Sequence, residues 1–202
     1  PDKEHVVVDF GSGDGSFLIG FCAALRAVGF RVRKAQGYEC VKERRDLCLA
    51  SLPQLLTSAE VEDLQVSIEL ADIAQLTSIV DGASIAAVFG LTFVDDEDAN
   101  IEFLCRSCPT MSMVAVDARH RNYFVPGNGW TLVWQGLVAA QGPNSQFCLF
   151  RRGDTDTDEF DGASTCAQTA MPAAAAGKDF ELAGETQSQP PHPDAGKDEF
   201  DG

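Results

Sequence analysis

Val8-Asp9-Phe10-Gly11-Ser12-Gly13-Asp14-Gly15 forms the turn from a β-branched run, His5–Phe10, into a segment of helical periodicity. In that segment Phe17, Leu18, Phe21, Cys22, Leu25 and Val28 recur at helical spacing, and Gly29 is placed to end it. Glycines let a backbone approach a ligand closely, and the helix that follows points unpaired N–H groups at it. A dinucleotide site uses G-x-G-x-x-G around a pyrophosphate. Here the third glycine comes one residue early and Ser16 stands in the expected place. Asp9 precedes the turn, and a carboxylate there suits a ligand's ammonium group, and the ordering of the loop, better than a pyrophosphate. The plain alternative is a tight turn that holds nothing.

Outward from this stretch, strands and helices alternate. Val32–Glu39 reads as a second strand and Val41–Leu56 as a second helix with Pro53 near its end. Leu64–Leu70 alternates as a third strand, Ile85–Phe89 is a short buried strand, Asp95–Cys108 a helix and Met111–Val116 another buried strand. Strands and helices at this spacing imply a mostly parallel sheet covered on both faces. The pattern then changes. Trp130–Ala139 and Gln146–Arg151 flank Gln-Gly-Pro-Asn-Ser, a turn signal with no room for a crossover helix, so these two strands form an antiparallel hairpin. The expected fold is α/β, an αβα sandwich of five β/α units. Its mostly parallel seven-stranded sheet is closed by a C-terminal antiparallel hairpin.

Residues 1–152 form the expected folded domain, and 153–202 a low-complexity acidic tail. The chain carries a net charge of −16, of which −10 falls in the tail, with twelve acids against two lysines. Asp158-Glu-Phe-Asp-Gly162 recurs as Asp198-Glu-Phe-Asp-Gly202, and apolar residues are too sparse there to offset the entropy of ordering. Disorder is the expectation for this segment, with its Phe residues as candidate docking points. A negative surface repels phosphate backbones, so tight nucleic-acid binding is not expected. Seven cysteines scattered through helix-like and strand-like segments read as reduced and intracellular. No apolar run approaches the ~20 residues of a membrane span.

Further candidates follow the strands. Glu39 ends the second strand in Gly37-Tyr38-Glu39, where an acid can accept both hydroxyls of a ribose, or simply favour a helix start. Ala71-Asp72-Ile73 follows the third strand, and Asp72 is equally readable as a helix N-cap. Val88-Phe89-Gly90-Leu91-Thr92-Phe93 leaves the fourth strand at the carboxyl edge of the sheet, where ligands of open α/β sheets bind. Phe93 is either a channel wall or core. Asp95, Asp96, Glu97 and Asp98 either attract a cation or stabilise a helix start. Cys105-Arg-Ser-Cys108 reads as one helical face with two buried thiols, since zinc needs about four ligands and no second pair exists. His5, His120 and His192 form no ligand set.

These residues resemble the class I S-adenosylmethionine (SAM)-dependent methyltransferases, which have a Rossmann-like fold. They look most like the non-SET histone-lysine methyltransferases of the disruptor-of-telomeric-silencing type. The resemblance covers about Val6–Asp117 and rests on Asp9-Phe-Gly-Ser-Gly-Asp-Gly15, Gly37-Tyr-Glu39, the acid at Asp72, and Phe93 before an acidic helix. A mitochondrial ATP-synthase-modifying group of lysine methyltransferases shares the first motif. The resemblance implies SAM as cofactor, with Asp9, Gly11, Ser12, Gly13, Gly15, Glu39, Asp72 and Ile73 in contact with it. Asp72 would accept from the adenine amino group while Ile73 packs on the ring. Phe93 and Tyr123 are implied at the substrate channel, with Trp130 a weaker candidate. The implied acceptor is a protein lysine, on a histone or another protein, in the nucleus, cytoplasm or mitochondrion. Two other classes compete. A nicotinamide-dependent oxidoreductase requires a continued parallel sheet in place of the hairpin. A non-catalytic SAM-fold module would scaffold partners through the acidic tail.

Overall fold

A computed structural model describes residues 3–58, 60–89, 93–137 and 146–153. The turn at 141–145 and the acidic tail beyond Gly153 lie outside the described residues, as do 90–92 of the fourth-strand motif.

Seven strands and three α-helices follow one another as β1 (Glu4–Phe10), α1 (Ser16–Ala27), β2 (Arg31–Glu39), α2 (Lys42–Leu55), β3 (Gln65–Leu70), β4 (Ala83–Val88), α3 (Asp95–Ser107), β5 (Met113–Asp117), β6 (Trp130–Leu137) and β7 (Gln146–Arg152). They form one sheet in the order β3-β2-β1-β4-β5-β7-β6. The first five strands run parallel, and β7 pairs antiparallel with both β5 and β6. The expected hairpin is therefore present, although its last strand inserts beside β5 and leaves β6 at the edge. Strand order reverses between β1 and β4, which opens a crevice at their carboxyl ends.

Local chemistry sets the helix limits. Gly15 is the N-cap of α1, and Asp14 just before it accepts from both the backbone N–H and the hydroxyl of Ser16, at 3.0 and 2.6 Å, which satisfies the first free N–H of the helix. At its other end Gly29 adopts φ 99°, while Phe30 N–H bonds Leu25 O and Gly29 N–H bonds Arg26 O. That pair of bonds is a Schellman termination. Leu18, Ile19, Cys22 and Leu25 are buried on α1, but Val28 is 61% exposed, because it is the C-cap and lies beyond the packed face.

Only three of the five expected crossovers are α-helical. Between β3 and β4 there is a single 3-10 turn, Ile73–Gln75, and between β5 and β6 the short turns Arg121–Tyr123 and Pro126–Asn128. The first is held from outside: Asn100 of α3 donates to Ile73 O and Leu76 O at 2.6 and 3.0 Å. Those carbonyls are thus satisfied without a helix.

Apolar residues cover the sheet on both faces. On one side Val7, Val32, Ala35 and Ile85 pack beneath α1 and α2 with Leu18, Cys22 and Cys48. On the other, Val8, Phe10, Val88 and Val116 pack beneath α3 with Ile101, Leu104, Phe124 and Trp130. Trp130 is fully buried and donates its indole N–H to Glu102 at 3.2 Å, so it belongs to the core and not to a substrate channel. Cys105 is buried on α3, whereas Cys108 caps that helix, is only half-buried against the same core and contacts Ala83 O at 3.3 Å, so one of the two expected buried thiols is partly open. Among the described residues no helix is long and apolar enough to cross a membrane, and no group of His, Cys, Asp and Glu could hold a metal ion.

Candidate functional site

The glycine bend leaves β1 through three left-handed positions, Gly11 at φ 76°, Gly13 at φ 56° and Gly15 at φ 79°. Side-chain-bearing residues rarely adopt that region. Gly15 also needs the space, because a Cβ there would lie 2.3 Å from Cys48 Sγ, whereas one on Gly13 would meet nothing within 4 Å. The base of the bend is tied to β2: Gly11 and Ser12 both donate backbone N–H to Tyr38 O, at 2.8 and 3.1 Å. Gly37 lets Ser12 nest against that strand, since its Cβ would sit 2.3 Å from Ser12 Oγ.

Two carboxylates flank the bend. Glu39 is buried and accepts backbone N–H from Gly13 on Oε2 and from Val41 on Oε1, each at 2.9 Å. It therefore organises the bend and the entry to α2, more than the helix-start charge that the sequence alone allows. Asp9 is 2% exposed, and its Oδ2 is buried without a hydrogen-bond partner. Burial pushes its carboxyl up to about 8; the bond from Ser12 opposes the shift and the nearby Glu39 adds to it.

Asp72 and Ile73 continue the same rim, because Ala71 N–H bonds Glu39 O at 3.0 Å. Asp72 is exposed and caps the 3-10 turn by accepting from Ala74 N–H at 3.0 Å. Ile73 is 2% exposed and packs into the α3 side of the core, so an adenine ring would find its side chain already enclosed.

A second cluster gathers where β4 and β5 end. Phe93 is half-buried with its ring 5.6 Å from that of His120. Tyr123 donates its hydroxyl to Asp95 at 3.0 Å, and His120 Nδ1 lies 2.9 Å from Asp98, with both partners of the latter pair buried. The first turn of α3 is thus cross-braced to the segment after β5 through two of its acids. A third, Glu97, accepts from Val94 N–H at 2.9 Å and closes the helix start. At the end of β5, burial works to raise Asp117, but the bonds from Arg119 at 2.7 and 3.0 Å outweigh it and hold the carboxyl below its usual range. The Asp98–His120 pairing spans 22 residues, and no spacing in the sequence signals it.

The structure therefore unites Asp9, Gly11, Ser12, Gly13, Gly15 and Glu39 in one corner, with Asp72 on the adjoining rim. Phe93 and Tyr123 gather where β4 and β5 end and pack against the same α3-side core as Ile73.

No protein-family model matches the chain, and no curated protein matches it in sequence. Solved structures do match in fold. The small RNA methyltransferase HEN1 superposes with a TM-score of 0.54 at 14% identity, over 77% of this chain and 24% of its own. The protein yhhF of Escherichia coli, described as a methyltransferase, gives 0.52 at 14% over 74% and 77%. A protein of Clostridium thermocellum described as an rRNA-methylase gives 0.52 at 13% over 74% and 87%. The fold is that of the Rossmann-like methyltransferases, with its antiparallel pair at the far end of the sheet.

Proposed function

We propose that the chain is a SAM-dependent methyltransferase whose acceptor is a protein lysine. One observation carries the first part: an acid-flanked glycine bend sits at the point where strand order reverses, in a sheet ending β5-β7-β6. That antiparallel end is not the continued parallel sheet of the nicotinamide alternative. The chain's own features fit the cofactor: an orphaned buried carboxyl at Asp9, open space above Gly13, and Glu39 within reach of both. Bound there, SAM supplies an electrophilic methyl group on a sulfonium.

The residues would divide the work by position. Gly11, Ser12, Gly13 and Gly15 shape the backbone cradle, and Asp9 faces the amino-acid end. Glu39 exchanges its bond to Gly13 for ribose hydroxyls, and Asp72 meets the adenine edge. Phe93 and Tyr123 wall the acceptor side and exclude water, so an uncharged amine can be aligned for in-line attack. Asp95 and Asp96 stand exposed beside that wall and would attract the lysine as its cation, which releases its proton to solvent before the neutral amine attacks. The net charge of −16 opposes an RNA acceptor. A histone is one such acceptor, which would place the protein in the nucleus.

Calorimetric titration with SAM and with NAD, then tritiated-methyl transfer onto histones, bulk protein and bulk RNA, tests the proposal. Micromolar SAM binding with label on protein is expected. Label on RNA alone would overturn the lysine assignment. The Gly13–Glu39 bond favours a second reading, a non-catalytic module with its bend held shut. That reading predicts no heat with either cofactor.

A further inference from the structure

Asp9 is the one acid at the bend with a buried oxygen left unpartnered. Its surroundings explain why the position is costly. On the sheet it lies between Gly37 of β2 and Ala87 of β4, two of the smallest side chains, so neither neighbour brings a donor. Glu39 of β2 faces it with the same charge. Cys22 of α1 and Cys48 of α2 complete the set of titratable neighbours, and burial pushes their thiols up to about 12 and about 11, so both stay neutral near neutrality. An ionised carboxylate there has only the Ser12 bond in its favour, against burial, a neighbouring acid, two neutral thiols and an unpartnered Oδ2, with no cation beside it.

We propose that Asp9 is protonated in the free protein and gives up that proton when the ammonium group of an amino-acid ligand is brought against the glycine bend. The inference rests on the SAM reading above, because SAM carries such an ammonium. The balance is simple: the carboxyl O–H breaks, the proton passes to solvent, and the carboxylate pairs with the incoming cation. Burial that penalises a lone carboxylate then strengthens the pair that replaces it. Asp9 would thus couple cofactor affinity to pH and favour ligands with an intact amino-acid end over bare nucleosides.

Calorimetry in buffers of different ionisation enthalpy reads this directly. The measurement is made at about pH 6.5, below the range of about 7.7–8.0 in which α-amino groups titrate, so the ligand does not change its own charge. SAM and S-adenosylhomocysteine are expected to release about one proton each, and methylthioadenosine, which lacks the amino-acid end, none. SAM affinity should rise about tenfold per pH unit between roughly pH 5.5 and 7.5. Asp9→Asn should abolish the release. SAM binding without proton release, or with release unchanged in Asp9→Asn, overturns the proposal and leaves the cofactor reading standing. Absence of SAM binding overturns that reading, and the carboxyl carbon shift of Asp9 in the free protein then decides the remaining half. A midpoint near 8 is expected there, and one below about 5 overturns it.

Discussion

Gly13 donates its backbone N–H to Oε2 of Glu39 over 2.9 Å, which closes the glycine bend onto the acid at the end of the neighbouring strand. The contact joins residues 26 positions apart and makes Glu39 both a structural acceptor and a candidate ribose ligand.

Substitution at Glu39 should therefore separate two effects. Glu39→Ala leaves the Gly13 and Val41 N–H groups without their acceptor, at an expected cost of about 1–3 kcal/mol in urea unfolding. Glu39→Gln keeps an acceptor oxygen and should cost less stability, yet weaken SAM binding at least ~10-fold, because a neutral amide accepts ribose hydroxyls less strongly. Undiminished SAM affinity in Glu39→Gln would remove the residue from the ribose site.

Asp9 makes stability depend on pH in the direction opposite to a salt-bridged acid. Its carboxyl is raised from 3.8 to about 8, so its folded-state contribution is complete below about pH 4 and is lost as pH rises through 8. Asp9→Asn should match the wild type near pH 4 and exceed it at pH 7 by on the order of 4 kcal/mol, about 1.4 kcal/mol for each pH unit above the unfolded value. Denaturant unfolding at the two pH values checks this, and an equal difference at both would refute it.

Two glycines of the bend should respond differently to alanine. Gly13→Ala forces a side chain to φ 56° in open space, at about 1–2 kcal/mol. Gly15→Ala adds a collision with Cys48 Sγ and should cost more. Combining it with Cys48→Ala should recover part of the loss; strict additivity in the double-mutant cycle would show that the thiol does not set the limit.

The Asp98–His120 brace predicts coupling between α3 and the segment after β5. Asp98→Ala removes a hydrogen-bond partner of a buried imidazole and should destabilise by on the order of 2–3 kcal/mol. A cycle with His120→Ala should show coupling of about 1 kcal/mol or more, and additive single effects would mean the two side chains act separately. SAM binding should survive, since the pair braces α3 to the segment after β5 and neither residue is assigned to the cofactor.

Legibility varied with the range of the interaction that decides each feature. The bend, the strands on either side of it and the terminal hairpin are readable because their signals are local. Positive-φ glycines, β-branched runs and a short turn without room for a helix are all dictated within a few residues. Asp72 illustrates the limit. Its N-cap alternative describes what its side chain does here, and in place of a helix there is one 3-10 turn whose carbonyls are satisfied by Asn100, far along the chain. Trp130 and Ile73 carry aromatic and apolar surface suited to a ligand, but both are packed inside. Burial is a property of the whole chain's packing, and neither residue's neighbours in sequence disclose it.

The sequence by itself determined the fold class, the position of the bend and the row of acids at the carboxyl ends of β1, β2 and β3, since backbone conformational preference and hydrophobic period are written residue by residue. Tertiary structure alone decided that Glu39 grips the bend, that Asp9 is enclosed with an unpartnered oxygen, and that Asp98 meets His120. Those facts depend on which strands and helices pack side by side, and therefore on how far each charge is removed from water and what stands next to it when it is.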